Sequence, residues 1–489
     1  VAYFVNIPDD LNLGNNEYTS ASGDNRNTGK NAGAPKPNPV NILRIYEITA
    51  GDTLYIDTGV YPLIETVLLS GQAGVGDDEG LTMTGPTGAD VAEFVTAIPG
   101  RPDQDLIELH DADLVKMHYL TLTGGRHGVY VHTDSLSLTA TNIITADNNA
   151  SGVYMIGGSD VATLDGLTTY GHPTAGRYGL YINGGAGGII QNVTAYGNDS
   201  GVYLYDVSAV TLNTIETHDN TDYGLYARSA QIDGSGVTAY NNATGIYLYD
   251  SNNAAYSLLA NPVSYSNATG IILERYVNIA GGASHNNTGY GISTDWNYFQ
   301  TIDGTDAYEN GSHGVYLKQG EIKNARIYGN VGDGVFADYN TAHVRGSVIY
   351  GNDYGVRFTT NYGGIAVTNN LIYDNDNGGV LFDSALSSSG TAEVVNNTIY
   401  QAAGDALHLT NTSKNVHLRN NILGFAGYEY GSGITGIAND MKSEGYTLID
   451  STDSSLWYSS TFVGIDCELG YIFSSNRLVG GSFILKSAT

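Results

Sequence analysis

Four ionisable residues recur at one position of a tandem repeat: Glu274, Asp295, Lys318 and Asp338 each stand four residues after a glycine, namely Gly270, Gly291, Gly314 and Gly334. If neighbouring repeats stack as strands, these side chains lie about 4.8 Å apart. That is close enough to perturb one another's titration or to share a cation. Two chemistries could use them. In an elimination, Lys318 or Arg228 would remove the proton beside a uronate carboxylate, while Glu274, Asp295 and Asp338 held a calcium ion that neutralises it. In a hydrolysis, Glu274 and Asp295 would act as acid and base, at a spacing nearer the short carboxylate separation than the long one. No motif of a particular lyase, epimerase or hydrolase accompanies them. A solvated column that alternates sign to avoid like-charge stacking accounts for the same residues.

The elements that carry this column are set by the repeat. Glycines fall at 128, 152, 179, 201, 224, 245, 270, 291, 314, 334, 355 and 379, at gaps of 20 to 27 residues. A typical phrase is Gly201-Val-Tyr-Leu-Tyr-Asp206, repeated as Gly245-Ile-Tyr-Leu-Tyr-Asp250. Such a period predicts a solenoid, and alternation of apolar with polar residues predicts strands. A leucine-rich repeat would need Leu at fixed offsets and a helical segment, and neither is present. The expected fold is an all-β, single-stranded parallel β-helix. Residues 1–100 form a capping section and first coils, 101–425 the regular coils, and 426–489 the closing coils or cap.

Ten to fifteen residues beyond each phrase comes an aromatic, any residue, and Asn, as in Tyr196/Asn198, His218/Asn220, Tyr240/Asn242, His285/Asn287, Tyr308/Asn310 and Tyr373/Asn375. Stacked Asn amides hydrogen-bond along the axis and tolerate a left-handed corner, and stacked rings bury area. A glycine three or four residues later is expected to supply the next turn. His218 and His285 then read as packing residues that replace Tyr.

In each phrase the second and fourth residues point inward and the third and fifth outward. The third column is a strip of rings from Tyr130 through Tyr154, Tyr181, Tyr203, Tyr226 and Tyr247. Ile272 and Ser293 interrupt it beside the charged section, and it resumes at Tyr316. Tyr203, Tyr226, Arg228, Tyr247, Tyr249, Trp296 and Tyr316 are therefore candidate contacts for a sugar chain. Cross-coil stacking that stabilises a long sheet is the plainer use of the same rings.

The chain has 64 Gly, 38 Tyr and only 20 Lys+Arg against 50 Asp+Glu, for a formal charge of −30. That balance excludes nucleic acid as a partner. It also repels acidic ligands unless cations or local bases intervene. A single cysteine, Cys467, permits no internal disulfide. No stretch is apolar enough to span a membrane, and no basic-then-apolar leader follows Val1, so the expectation is a processed chain or a segment of a longer one. Asp374-Asn-Asp-Asn-Gly378 opens like a calcium loop, but its twelfth position is Ala385, so a solvated corner is expected. Tyr170-Gly-His172-Pro173 is expected to protrude as a loop. Asn149, Asn198, Asn242 and Asn267 have glycosylation spacing, with their amides expected to be committed to the ladder.

The N-terminal phrases Tyr18-Thr-Ser-Ala-Ser-Gly-Asp24 and Gly51-Asp-Thr-Leu-Tyr-Ile-Asp-Thr-Gly-Val-Tyr61 resemble the entry of secreted bacterial right-handed β-helix proteins. That layout is shared by lyases of the pectate-lyase superfamily and by giant multimodular surface proteins. Arg419-Asn-Asn-Ile-Leu423, Leu469-Gly-Tyr471 and Phe483-Ile-Leu-Lys-Ser-Ala488 resemble closing coils of modules in the latter. The resemblance implies a right-handed coil and a secreted, extracellular or cell-surface location. With sparse charged chemistry, it favours a structural or adhesive module that contacts polysaccharide or cell-surface glycan and self-associates end to end through open sheet edges. A calcium-dependent polysaccharide lyase or epimerase, or a glycoside hydrolase, is the alternative.

Overall fold

The computed structural model describes residues 1–71, 78–97, 103–132, 135–229, 231–252, 256–295, 298–339, 341–359, 364–383, 391–409 and 416–425, with short strands at 434–435, 442–443 and 448–449. The chain forms two compact units, Val1–Ser257 and Leu258–Thr489. Each is a stack of coils in which every registered strand pair is parallel, as expected for a parallel β-helix. Among the described residues the only α-helix is α1, Pro39–Ile45, capped by Asn38. No helix among them is long and apolar enough to cross a membrane.

One coil shows how sequence makes the shape. In Val210–His218 and Ile232–Tyr240 the inward residues Leu212, Ile215 and Val237 are buried, and Ile215 pairs in register with Val237. In Ser200–Val207, Val202 and Leu204 are buried whereas Tyr203 and Tyr205 are half-exposed, which is the expected alternation. The register repeats from coil to coil as Val202, Leu225 and Ile246. A slip of one residue would turn the whole apolar set outward, so this column pins the stack.

The corner is held by asparagine. The amide N–H of Asn198 donates to Asn220 Oδ1 and that of Asn220 to Asn242 Oδ1, each at 3.1 Å. In the second unit, side-chain amides donate from Asn287 to Asn310, Asn310 to Asn330, Asn330 to Asn352 and Asn352 to Asn375, at 2.8–3.0 Å. All are buried, as the ladder predicts. The rings beside them stack as flat plates, with Tyr196–His218 at 4.9 Å and 2° and Tyr308–Tyr328 at 4.8 Å and 0°. His218 and His285 are packing members of that stack.

Two local assignments change. The left-handed residue of the corner is the middle one, not the ladder Asn: Asp219, Asn241, Asn286, Glu309 and Asp374 have φ of 49 to 56°. The repeat glycine serves contact, not a turn. At Gly224 a Cβ would lie 2.6 Å from the carbonyl of Gly245 and 2.8 Å from Asn242 Nδ2, so only glycine admits the ladder. Tyr170 and His172 are not loop residues. Tyr170 stacks on Tyr196, and buried His172 takes a ladder position with Nδ1 2.6 Å from Asn198 Oδ1. The exposed segment is 173–176. Asn149 is exposed, and its neighbour Asn148 holds the buried position. Asn375 is in the ladder, which makes the Asp374 segment a corner.

The N-terminal section closes the first edge. β1, Ala2–Val5, pairs with β2, Thr53–Ile56, on one side. On its other side Phe4 exchanges backbone hydrogen bonds with Gly29 and Lys36. Buried Asp57 ties the polar segment down, accepting from the N–H groups of Glu17, Tyr18 and Thr19 at 2.9, 2.9 and 2.6 Å. That requirement explains the Asp in Tyr55-Ile-Asp57-Thr58-Gly59. Cys467 and Ala385, and most of 426–489, lie outside the described residues.

Asn310→Ala should cost ~2–4 kcal/mol, because it removes the Oδ1 that accepts from the buried Asn287 main-chain N–H and side-chain amide, and the Nδ2 that donates to the Ser284 carbonyl and Asn330 Oδ1. Glu309→Gly, at a left-handed position, should stay within ~1 kcal/mol of wild type. Urea midpoints of the two variants test the contrast.

Candidate functional site

The strands formed by the repeat phrases carry the expected outward columns. In the second unit Ile272 pairs with Ser293, Ser293 with Tyr316, Tyr316 with Phe336 and Phe336 with Arg357. Two residues further along each coil stand Glu274, Asp295, Lys318 and Asp338. The Tyr316 hydroxyl donates to Asp338 Oδ2, and Lys318 Nζ sits 5.2 Å from the Tyr316 ring centre. Asp295, Lys318 and Asp338 are all engaged in contacts with neighbours. Among the described residues no group of three or more His, Cys, Asp or Glu is placed to hold a metal ion, so Glu274, Asp295 and Asp338 do not form a preassembled calcium site. Trp296 lies outside the described residues.

A second group lies beside this column, at the position just before each repeat glycine. Tyr290 and His313 stack at 5.7 Å, and His313 stacks on Phe336 at 4.5 Å and 5°. The Asp333 N–H donates to His313 Nδ1 at 2.8 Å, so that nitrogen carries no proton. Burial lowers the His313 pKa in the same sense. Asp333 is fully buried. Its Oδ1 accepts from the Tyr354 N–H at 3.2 Å, while Oδ2 has no hydrogen-bond partner and lies 3.5 Å from His313 Nδ1. Burial pushes Asp333 up to about 6. Arg357, paired with Asp383, stands over the Phe336 and Tyr354 rings. Shifted acids beside a face of this kind are a frequent mark of function. The sequence signal was a column beginning one residue before the glycine, which the outward columns of the phrase do not include.

In the first unit the rings continue without a break. Tyr154 stacks on Tyr181 at 4.6 Å, Tyr203 on Tyr226 at 4.3 Å and Tyr226 on Tyr247 at 4.7 Å. Arg228 is held between Tyr205 and Tyr249, 4.8 and 5.1 Å from their ring centres, and pairs with Asp206 at 3.0 Å. A guanidinium so enclosed is a poor base. The first glycine phrase, Gly128-Val-Tyr-Val-His132, and the coil before it place a further titratable group. His132 Nε2 pairs with Glu108 at 2.8 Å, His110 meets the His132 ring at 5.3 Å, and Arg126, held by Asp105, covers Tyr130. Inside the first unit's coils, an apolar void of 10 Å³ lined by Met117, Val129, Ile143 and Val153 admits about one water at most.

Coils of this register and these ladders define a β-helix protein. The right-handed β-helix region family matches residues 127–273, 228–372 and 342–453, well over half the sequence, and the chain belongs to that family. No curated protein sequence matches it. Among solved structures, the A-module of a mannuronan C-5 epimerase from Azotobacter vinelandii is 16% identical, covering 79% of this chain and 91% of that one, with a TM-score of 0.28. A pectate lyase is 12% identical over 81% of this chain and 80% of its own, with a TM-score of 0.23. The catalytic domain of an α-1,3-glucanase is 14% identical over 78% and 63%, with a TM-score of 0.26. At these scores the likenesses carry no argument about chemistry.

Because Asp333 is raised from 3.8 to about 6, the fold favours its protonated form, and stability falls as pH rises from about 4 to 6. Asp333→Asn should therefore match wild type near pH 4. It should exceed it by up to ~3 kcal/mol above pH 7, as read from denaturation midpoints across that range.

Proposed function

We propose that this chain is an extracellular or cell-surface β-helix module that contacts polysaccharide or cell-surface glycan through the ring-bearing outer face of the strands formed by its repeat phrases. The observation that carries the reading is the run of half-exposed tyrosines in one register from Tyr154 to Tyr247. Long aromatic surfaces on soluble proteins mark contact sites more often than scattered rings do. The contact residues are Tyr203, Tyr226, Tyr247 and Tyr249 in the first unit, with Arg228 orienting its neighbours, and Tyr316 is a separate candidate within the second. End-to-end self-association, if it occurs, does not use the outer edge of β1, which residues 29 and 36 already occupy.

A second reading is supported by the charged register of Glu274, Asp295, Lys318 and Asp338, which gives three acids and a base within a few coils, with the Tyr316 phenol beside Lys318 and Asp338. On that reading Lys318 serves an elimination on a uronate polysaccharide, or Glu274 and Asp295 serve a hydrolysis. Calcium would have to draw Glu274, Asp295 and Asp338 together on binding.

The test is incubation with a panel of neutral and uronate polysaccharides, with and without calcium, following retention, new reducing ends and unsaturated products. Retention without depolymerisation is expected. Unsaturated products that vanish in Lys318→Ala would replace the module by a lyase, and reducing ends that vanish in Glu274→Gln would replace it by a hydrolase.

A further inference from the structure

The tyrosine face has a property that narrows its ligand. Rings that grip sugars usually offer a flat face, but here the faces are already covered. Tyr154 and Tyr181 lie at 11°, Tyr181 and Tyr203 at 18°, Tyr203 and Tyr226 at 7°, and Tyr226 and Tyr247 at 6°. What remains for a ligand is the ring edge and the phenol hydroxyl at its outer tip, a donor and acceptor repeated once per coil. The repeat is the strand spacing, about 4.8 Å. A hexopyranose unit in an extended chain advances by a comparable length.

Within the strip itself charge is sparse, and the charges beside it at Tyr178 and Tyr203 include the acids Asp199 and Asp222. Across the five coils from Tyr154 to Tyr249, the ten outward positions of the phrase hold one charged residue, Arg228, and Asp206 neutralises it at 3.0 Å. This occurs in a chain with 20 basic and 50 acidic residues. A polyuronate would find no unpaired cation there and would meet the repulsion of a formal charge of −30. A second copy of the chain would bring the same repulsion. Burial raises the phenols of Tyr181, Tyr203 and Tyr226, so these three stay protonated, and the Tyr203 and Tyr226 hydroxyls hydrogen-bond to each other, which leaves the pair one donor to offer.

Building on the glycan-contacting function proposed above, we infer that the strip from Tyr154 to Tyr247 is a binding site for a neutral, hydroxyl-rich polysaccharide. The chain lies along the coil axis, one sugar unit per coil, and is read by phenol hydroxyls rather than by ring faces. Affinity should therefore rise with oligosaccharide length and level off at about five units, one for each tyrosine of the run.

The experiment is native affinity electrophoresis of the full chain in gels containing soluble β-glucan, galactomannan or xylan, against alginate and polygalacturonate. It is run for wild type and for the triple variant Tyr203→Phe, Tyr226→Phe, Tyr247→Phe. The variant keeps the rings and their stacking, so its thermal midpoint should match wild type and exclude misfolding. The expected result is retardation of wild type by at least one neutral polysaccharide and by neither uronate, with affinity reduced about tenfold or more in the variant. Equal retardation by uronates would overturn the neutral class. Undiminished binding by the variant would overturn hydroxyl recognition while leaving glycan contact standing. No retardation by any polymer would overturn the glycan-contacting function itself. Concentration-dependent dimers in sedimentation that disappear in the variant would assign the strip to a second copy instead.

Discussion

The structure depends on an amide buried at a corner. A β-helix must turn its backbone sharply in every coil, and each turn takes polar main-chain groups out of water. The ladder asparagines supply partners at that point, since each side chain accepts from the preceding coil and donates both along the stack and to a main-chain carbonyl. The flanking geometry follows. The residue before each Asn is left-handed, the repeat glycine gives up its side chain so that the next carbonyl can approach, and the preceding ring stacks because its coil spacing is now fixed.

Once the interior is fixed by these ladders, the outer face is free to vary, and the two units use it differently. The first presents rings with sparse charge. The second interleaves rings with acids and bases, including Asp333, whose unpartnered oxygen is a cost that packing alone does not require. Membership of the right-handed β-helix family fixes the scaffold and leaves the chemistry to such outward residues.

The period, the strand alternation and the ladder were legible because identical side chains recur at fixed offsets. The exact left-handed residue was not, since Asp219, Asn286 and Glu309 share a backbone angle but no side-chain type. A second ladder, Asn370, Asn397 and Asn421, was hidden because no aromatic precedes it by two residues, and each Asn instead follows another Asn. His172 was hidden because imidazole replaces the amide. At the charged column the sequence placed Glu274, Asp295, Lys318 and Asp338 in one register. Sequence spacing could not reveal that Tyr316 turns its hydroxyl to Asp338, or that His313 and Asp333 lie just beside them.

The ladder has a direction. Within each unit the backbone N–H of a ladder Asn donates to the side chain one coil later, never one coil earlier. A ribosome delivers coils in that same order. The newest coil on the emerging chain therefore always carries an unanswered corner, and the completed stack trails synthesis by one full turn. Coil length can change without breaking this succession, since successive ladder bonds span 23, 20, 22 and 23 residues, but loss of one ladder Asn interrupts it.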